Sequence, residues 1–267
     1  MNIDRYYRFY TSSIRMLPDV VIAGAVKCGT TFLYELLCKH PFFKPAATKE
    51  IHYFDLNYGK GINWYRSFFP VKKRKQNIKT GEASPYYLFH PHVPKRMYSD
   101  IPSVKLIMLL RNPVERAYSQ YHHITKRKGD LEETLSFEDA VAKEKERLQG
   151  ETKKMLQNET YQSLIHRRFS YLTRGIYIDQ IEAFAKFFDR SQMLIIKSEE
   201  LFSDTVPVFD RVLTFLDMQP WTPKDMEPVM TGSYSEMKPD TRRQLVEYFQ
   251  PYNQRLYEYL GENFGWQ

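Results

Sequence analysis

The sequence has little cysteine and no long apolar run. Its two cysteines, Cys28 and Cys38, stand in a turn and in the helix predicted after it, a placement that does not suit a disulfide. Such sparse cysteine favours a reducing compartment. No segment of about 18 consecutive apolar residues could form a transmembrane helix. The N-terminal residues lack the apolar core and cleavage site of a signal peptide. These absences predict a cytoplasmic protein without a membrane span.

Aromatic and basic residues, in contrast, are abundant. Aromatics make up 15% of the 267 residues, which excludes a disordered chain. Lys and Arg total 39 against 32 Asp and Glu, and the net charge of +7 fits an anionic ligand, a nucleic acid, a membrane surface or an ordinary basic surface. The basic run at residues 72–75 has no interleaved aromatics, so it predicts a solvated turn rather than a nucleic-acid site.

The most informative segment is the turn at residues 24–31. It follows the apolar run 20–23 and leads into residues with helical spacing, which predicts a strand, a turn and a helix N-terminus. Such a turn directs unpaired backbone N–H groups and a positive helix end at one anion. The two glycines have the spacing of the phosphate loop G-x-x-x-x-G-K-[ST], but Thr30 occupies the lysine position and the lysine is Lys27. In that place the ammonium group could stabilise charge on a leaving group.

Strands are predicted to alternate with helices along the chain. Apolar runs predict parallel strands at 18–24, 104–110 and 193–197, and amphipathic spacing predicts helices at 30–39, 178–188, 206–216 and 241–260, with Pro251 a candidate break in the last. Residues 50–54 are a further short element, and Pro113 can begin a helix. The alternation predicts an α/β fold: one domain, residues 1–267, with a central parallel sheet flanked by helices, similar to a phosphate-loop (P-loop) fold. Residues 126–168 are charged and predict a solvent-facing helical insertion or lid.

Two of the predicted turns should face the same ligand. The turn at 24–31 and the turn at Arg111 both follow the carboxyl ends of predicted parallel strands, where such sheets bind ligands. Arg111 offers a guanidinium fork to a phosphate, and Ser119 lies two turns into the following helix, on the same side. The sequence therefore predicts an anion site between these turns.

Six segments also match the motifs of one known family in the family's order: residues 27–31, 49–55, 81–87, 111–119, 174–177 and 251–257. In these segments the chain resembles the sulfotransferases that use 3′-phosphoadenosine-5′-phosphosulfate (PAPS), and the glycosaminoglycan enzymes and their bacterial relatives are the most similar. The resemblance implies a P-loop-like fold, a metal-free transfer of a sulfuryl group and release of adenosine 3′,5′-bisphosphate (PAP). It implies that the cofactor contacts Lys27, Cys28, Gly29, Thr30, Thr31, Arg111, Ser119, Tyr177, Gly232 and Ser233.

The same resemblance implies roles in catalysis and in acceptor binding. Glu50 would be the general base that takes the proton from an acceptor hydroxyl, and Lys27, His52 and His123 would act beside it. The residues implied to contact the acceptor are Lys49, Glu82, Tyr86 and Tyr87.

Two departures from the glycosaminoglycan pattern bear on the acceptor. Those enzymes commonly carry a lysine where this chain has Ala83, and a cysteine pair where residues 229–234 have none. We therefore expect a bacterial-type enzyme that acts on a small or carrier-bound hydroxyl compound, with no nucleic acid as partner. A saccharide, a polyketide hydroxyl, an alkaloid-like metabolite and a phenol all remain open, as do transfer to nitrogen and the oligomeric state.

Two other functional classes remain as alternatives. A nucleotide kinase or another phosphate-loop enzyme would require magnesium and ATP, but the lysine that follows the second glycine in such loops is Thr30 here. A non-catalytic protein that binds polyanions would show strongly salt-dependent binding and no preference for PAP.

Overall fold

The computed structural model describes residues 3–72, 78–126, 132–223 and 235–266. Its strands are β1 (Val20–Gly24), β2 (Phe43–Pro45), β3 (Lys79–Ala83), β4 (Lys105–Leu110) and β5 (Met193–Lys197). They form one five-stranded sheet in the order β2-β3-β1-β4-β5, and all four pairs are parallel. Helices cover the sheet, so the predicted α/β class with a central parallel sheet is confirmed.

The centre of the sheet explains how the two predicted turns come together. β1 lies between β3 and β4, and Val20 pairs with Gly81 on one side and with Lys105 on the other. Every residue of β1 is buried, as the apolar run predicts. The backbone N–H of Ala25 donates to the carbonyl of Leu109 at 2.8 Å. The segments that follow β1 and β4 therefore leave the sheet side by side.

The helices agree with the predicted positions to within a few residues. The predicted helices at 30–39, 178–188, 206–216 and 241–260 are all present, and the last continues unbroken through Pro251, so the expected break there is wrong. The helices in the described residues are α1 (Ile3–Tyr10), α2 (Thr30–Lys39), α3 (Tyr53–Leu56), α4 (Ile62–Arg66), α5 (Val93–Asp100), α6 (Pro113–Thr125), α7 (Phe137–Ala142), α8 (Glu144–Arg147), α9 (Glu151–Gln157), α10 (Leu164–Arg168), α11 (Tyr177–Ala185), α12 (Ser198–Ser203), α13 (Thr205–Phe215) and α14 (Pro239–Leu260).

Three local features differ from what the sequence pattern indicates. β2 and β3 were not predicted as strands, because β3 is polar and contains both Gly81 and Glu82. Residues 50–54 are not a strand: Glu50 and His52 have φ angles of 58° and 53°, and α3 begins directly after His52. The side chains of Glu50 and His52 therefore meet because the backbone makes a tight turn between them.

The segment 126–168 is helical as predicted but is not simply solvent-facing. α7 to α10 lie in it, and Phe137 and Met155 are buried. A buried carboxylate joins it to the rest of the fold: Glu144 accepts hydrogen bonds from the backbone N–H groups of Leu172 and Thr173, at 2.6 and 2.8 Å. Residues 127–131 of this segment lie outside the described residues.

Two expectations about the whole chain can be compared with the described part of it. Cys28, which is buried, and Cys38, which is partly buried, are both free thiols. Within the described ranges, no helix combines the length and the apolar character needed to cross a membrane.

Candidate active site

A cavity of about 920 Å³ opens at the carboxyl ends of the central strands. Five lysine and arginine side chains contribute to its wall, against the two carboxylates of Glu50 and Glu199. They are Lys27, Arg111, Arg167, Arg168 and Arg174. This excess of positive charge suits an anionic ligand, because a cavity lined mainly by one sign of charge concentrates the opposite ion.

The turn between β1 and α2 forms one wall of the cavity. Lys27 and Gly29 have φ angles of 70° and 83°, and Gly29 caps the N-terminus of α2. The left-handed conformation at Gly29 is one that glycine adopts without the steric cost of a Cβ atom. Thr30 and Thr31 begin the helix and also line the cavity. A helix N-terminus with a lysine beside it provides backbone donors and positive charge for a phosphate or sulfate group.

The turn after β4 forms the neighbouring wall. Asn112 caps α6 by accepting a hydrogen bond from the N–H of Val114 at 3.0 Å, and Pro113 occupies the first helical position. This start directs α6 so that Ser119 and His123, one helical turn apart, both reach the cavity that Arg111 lines. A guanidinium group and a hydroxyl group therefore lie on the same wall.

Glu50, His52 and Asp55 form a chain of hydrogen bonds at the cavity edge. His52 Nδ1 lies 2.7 Å from Asp55 Oδ2, and His52 Nε2 lies 3.2 Å from Glu50 Oε2. Burial opposes the charged imidazole, but the hydrogen bonds to Asp55 and Glu50 outweigh it and raise the pKa of His52 to about 9. The hydrogen bond from His52 is the main reason why the pKa of Glu50 falls to about 2. At neutral pH the two residues are therefore an ion pair.

A buried hydrogen-bond network around Glu82 holds the backbone of His52 in this arrangement. Glu82 is completely buried and accepts hydrogen bonds from the hydroxyls of Tyr65 at 2.7 Å and Ser84 at 2.7 Å. The Ser84 hydroxyl oxygen in turn accepts the backbone N–H of His52 at 3.2 Å. Burial raises the pKa of Glu82 above its usual value, although these hydrogen bonds act against the shift. The network fixes the backbone of His52 in its left-handed conformation.

Comparison with known proteins agrees with this geometry. The family described as Sulfotransferase domain matches residues 17–256. The chain belongs to the sulfotransferase domain family. It is 27% identical to the membrane-associated sulfotransferase kil1 of Dictyostelium discoideum, over 94% of this chain and 67% of the relative. It is 28% identical to human heparan sulfate glucosamine 3-O-sulfotransferase 3B1, over 97% of this chain and 67% of the relative. A crystal structure of a sulfotransferase from Alicyclobacillus acidocaldarius is 31% identical with a TM-score of 0.74, covering 93% of this chain and 98% of that one.

The resemblance predicted from the sequence motifs is thus confirmed at the level of the family, and the protein is a sulfotransferase. The sulfotransferase fold brings most of the predicted residues to one place. Those on the cavity wall are Lys27, Gly29, Thr30, Thr31, Glu50, His52, Tyr86, Arg111, Ser119 and His123.

Two predicted cofactor residues of the sulfotransferase lie behind the wall instead. Cys28 is fully buried, and its burial raises the pKa of the thiol to about 11. Tyr177 is also buried, and its hydroxyl donates to the carbonyl of Arg111 at 2.8 Å. Direct contact of the Tyr177 side chain with the cofactor is therefore contradicted by its position. Gly232 and Ser233, also predicted to contact the cofactor, lie outside the described residues.

The predicted acceptor contacts are divided in the same way. Glu82 and Tyr87 are both completely buried, and the Tyr87 hydroxyl donates to Glu82 Oε1 at 3.0 Å, so direct contact of either with an acceptor is contradicted. Lys49 is partly exposed and does not line the cavity; its Nζ donates to the hydroxyl of Thr31 at 2.7 Å. Of this group, Tyr86 alone reaches the wall.

The cavity is also lined by three arginines and by two residues after β5, to none of which the sequence analysis gave a role in the site. Arg167 and Arg168 come from α10, in the predicted lid, and Arg174 follows it. Ser198 and Glu199 lie at the carboxyl end of β5, where the rule for parallel sheets already pointed. In the described residues, no group of three or more His, Cys, Asp and Glu side chains could hold a metal ion.

Proposed function

We propose that this sulfotransferase uses PAPS and transfers its sulfuryl group to a hydroxyl group. The observation that carries the proposal is that two turns suited to anions line one cavity. Lys27 lies on the first turn and Arg111 on the second, and the carboxylate of Glu50 lines the same cavity. A nucleotide with a phosphosulfate at its 5′ position and a phosphate at its 3′ position needs two separate cationic sites, and the two turns can provide them.

The cavity also fits such a nucleotide in size and in chemistry. Its volume of about 920 Å³ lies at the upper end of ligand-sized pockets. Lys27, Gly29, Thr30 and Thr31 would hold the 5′-phosphosulfate, through the ammonium group, the hydroxyls and the N-terminal N–H groups of α2. Arg111 and Ser119 would hold the 3′-phosphate. When bound there, PAPS supplies the sulfuryl group and a phosphate leaving group.

Glu50 is the proposed general base. Because the pKa of Glu50 is about 2, its carboxylate is ionised at neutral pH and accepts a hydrogen bond from the acceptor hydroxyl. His52, protonated and held by Asp55, binds Glu50 Oε2 at 3.2 Å, and Glu50 Oε1, which lies 3.4 Å from Lys49 Nζ, is the oxygen proposed to remove the hydroxyl proton. Lys27 would place its positive charge at the leaving group, and His123, which lines the same cavity, would be a further donor.

Thermal unfolding with three ligand conditions tests this function: PAP, ATP with magnesium, and no ligand. PAP should raise the melting temperature and ATP with magnesium should not, because a ligand that binds only the folded state stabilises it. Arg111→Gln should lose the PAP effect, whereas Arg211→Gln, at a surface pair with Glu200, should keep it. Stabilisation by ATP with magnesium and not by PAP would replace this proposal with a kinase-like enzyme.

The acceptor is proposed here only as a small, carrier-bound or saccharide hydroxyl compound. Tyr86 and the segment that carries Arg167 shape the part of the cavity beside Glu50 and His52. A screen of hydroxyl and amine acceptors with radiolabelled PAPS identifies the class and separates transfer to oxygen from transfer to nitrogen.

We place the enzyme in the cytoplasm, since both cysteines are free thiols. Recovery in the membrane fraction of its native cells would contradict this location.

A further inference from the structure

The peptide group between Arg111 and Asn112 is held at both of its polar atoms. Its carbonyl oxygen accepts a hydrogen bond from the hydroxyl of Tyr177 at 2.8 Å. Its N–H donates to Glu199 Oε1 at 2.7 Å. Two hydrogen bonds on opposite sides of one planar group fix its orientation, and with it the direction in which the Arg111 side chain leaves the backbone.

The register of the sheet explains how Glu199 reaches this peptide. Leu110 pairs with Lys197 at the ends of β4 and β5, so the residues that follow each strand are neighbours. Asn112 stands two residues beyond Leu110, and Glu199 stands two residues beyond Lys197. The contact is therefore a consequence of where the two parallel strands end.

Ser198, the residue before Glu199, holds the other anion-binding turn. Its hydroxyl is completely buried and donates to the carbonyl of Cys28 at 2.9 Å. Cys28 lies between Lys27 and Gly29 in the turn that precedes α2. Two consecutive residues at the end of β5 thus bind the backbones of the two different turns.

We propose that Glu199 and Tyr177 are positioning residues that set the preference for a 3′-phosphate by orienting Arg111, while Ser198 sets the affinity for the 5′ end. This inference rests on the proposed PAPS function, in which Arg111 holds the 3′-phosphate. It predicts that loss of the Glu199 side chain weakens the preference for a 3′-phosphate, whereas loss of the adjacent Ser198 hydroxyl weakens binding of the 5′ end. A purely structural role would predict the same loss for every ligand.

The test compares the dissociation constants of PAP and adenosine 5′-monophosphate (AMP), which differ only in the 3′-phosphate. Calorimetry at one fixed salt concentration gives the ratio of the AMP constant to the PAP constant. Glu199→Leu and Tyr177→Phe should each lower this ratio about fivefold or more, mainly by weakening PAP, because each leaves a polar atom of the peptide unpaired. Ser198→Ala should weaken PAP and AMP by similar factors and leave the ratio unchanged.

Two controls separate the hydrogen bond from the charge of Glu199. Removal of a carboxylate from an anion site should by itself favour the more highly charged PAP, so a charge effect would raise the ratio and not lower it. Glu199→Gln keeps an acceptor oxygen and should therefore retain the wild-type ratio or exceed it. Glu200→Leu removes a carboxylate at the next position, paired with Arg211 outside the cavity, and should change neither constant.

The outcomes distinguish this inference from the function on which it rests. If the wild-type protein does not prefer PAP over AMP, the proposed function fails and the inference fails with it. If the wild-type protein prefers PAP, but the folded Glu199→Leu and Tyr177→Phe variants keep its ratio within twofold, the inference alone is overturned. Should Glu199→Leu not fold, Tyr177→Phe decides, since it preserves the packing of the ring.

Discussion

His52 Nε2 lies 3.2 Å from Glu50 Oε2, although the backbones of both residues are left-handed. The conformation is uncommon for residues other than glycine and costs free energy. The N–H of Glu50 donates to the carbonyl of Ala83 at 3.1 Å, and that of His52 donates to Ser84, so β3 and the residue after it hold the turn in place. Through this turn the buried network at Glu82 determines where the proposed base stands.

The first prediction concerns the role of Glu50. Glu50→Gln should keep the affinity for PAP but lower kcat at least about 100-fold, because the amide cannot accept the proton of the acceptor. Single-turnover transfer from labelled PAPS measures this with the acceptor found in the screen. Glu35→Gln, at an exposed position of α2, is the control with unchanged turnover. Near-normal turnover of Glu50→Gln would remove Glu50 as the base.

Lys27→Ala should affect the chemical step more than cofactor binding. The ammonium group is expected to stabilise charge that develops on the leaving group, whereas the helix N-terminus and the hydroxyls of Thr30 and Thr31 are expected to continue to bind the phosphate in the variant. We expect kcat to fall by about 100-fold or more and the PAP dissociation constant to rise by a smaller factor. Equal fold-changes in kcat and in the PAP dissociation constant would show that Lys27 contributes to cofactor binding only.

The His52–Asp55 contact predicts a pH dependence of stability. The pKa of His52 in the folded protein, about 9, lies above the ordinary value of 6.5. The stabilisation from the charged imidazole is therefore complete below pH 6.5 and is lost as the pH rises through 9. Urea unfolding should show that the free energy of unfolding falls more steeply between these pH values in the wild type than in Asp55→Asn. Parallel pH profiles would contradict this assignment.

Gly24 should tolerate no side chain. A Cβ atom there would lie 2.5 Å from the Cβ of Leu88 and 3.1 Å from the carbonyl of Pro85, neither of which can move without the backbone. Gly24→Ala should destabilise the protein by about 1–3 kcal/mol, the usual cost of overpacking. Gly59→Ala meets no atom within 4 Å and is the matched control. Chemical denaturation compares them, and equal stability would refute the clash.

The sequence predicted the central features of the fold because their patterns are local. The apolar runs of β1, β4 and β5 and the altered phosphate loop are each readable within a dozen residues. β3 was missed since its residues are mostly polar, and Glu82 can be buried there because the hydroxyls of Tyr65 and Tyr87 donate to it from other segments. The turn at Glu50 and His52 was likewise hidden, because it depends on bonds to β3 and to Ser84. Contacts made across the fold leave no periodicity in the chain.

The sequence also assigned direct ligand contacts to side chains that the fold places one layer deeper. Tyr177 and Glu82 stand in motifs of the family, so a functional role was expected of both. Only the structure shows that Tyr177 bonds to the Arg111 carbonyl and that Glu82 supports the turn of His52 through Ser84. The motifs therefore identified residues that support the site, but they did not show which of those side chains reach the cavity.

The most direct test of the account is a crystal structure of the protein with PAP. We predict the 5′-phosphate at the N-terminus of α2 beside Lys27, and the 3′-phosphate within hydrogen-bond distance of Arg111 and Ser119. Both phosphates should lie in the cavity that Glu50 lines. PAP bound elsewhere on the protein, or bound in this cavity with its 3′-phosphate away from Arg111, would contradict the account.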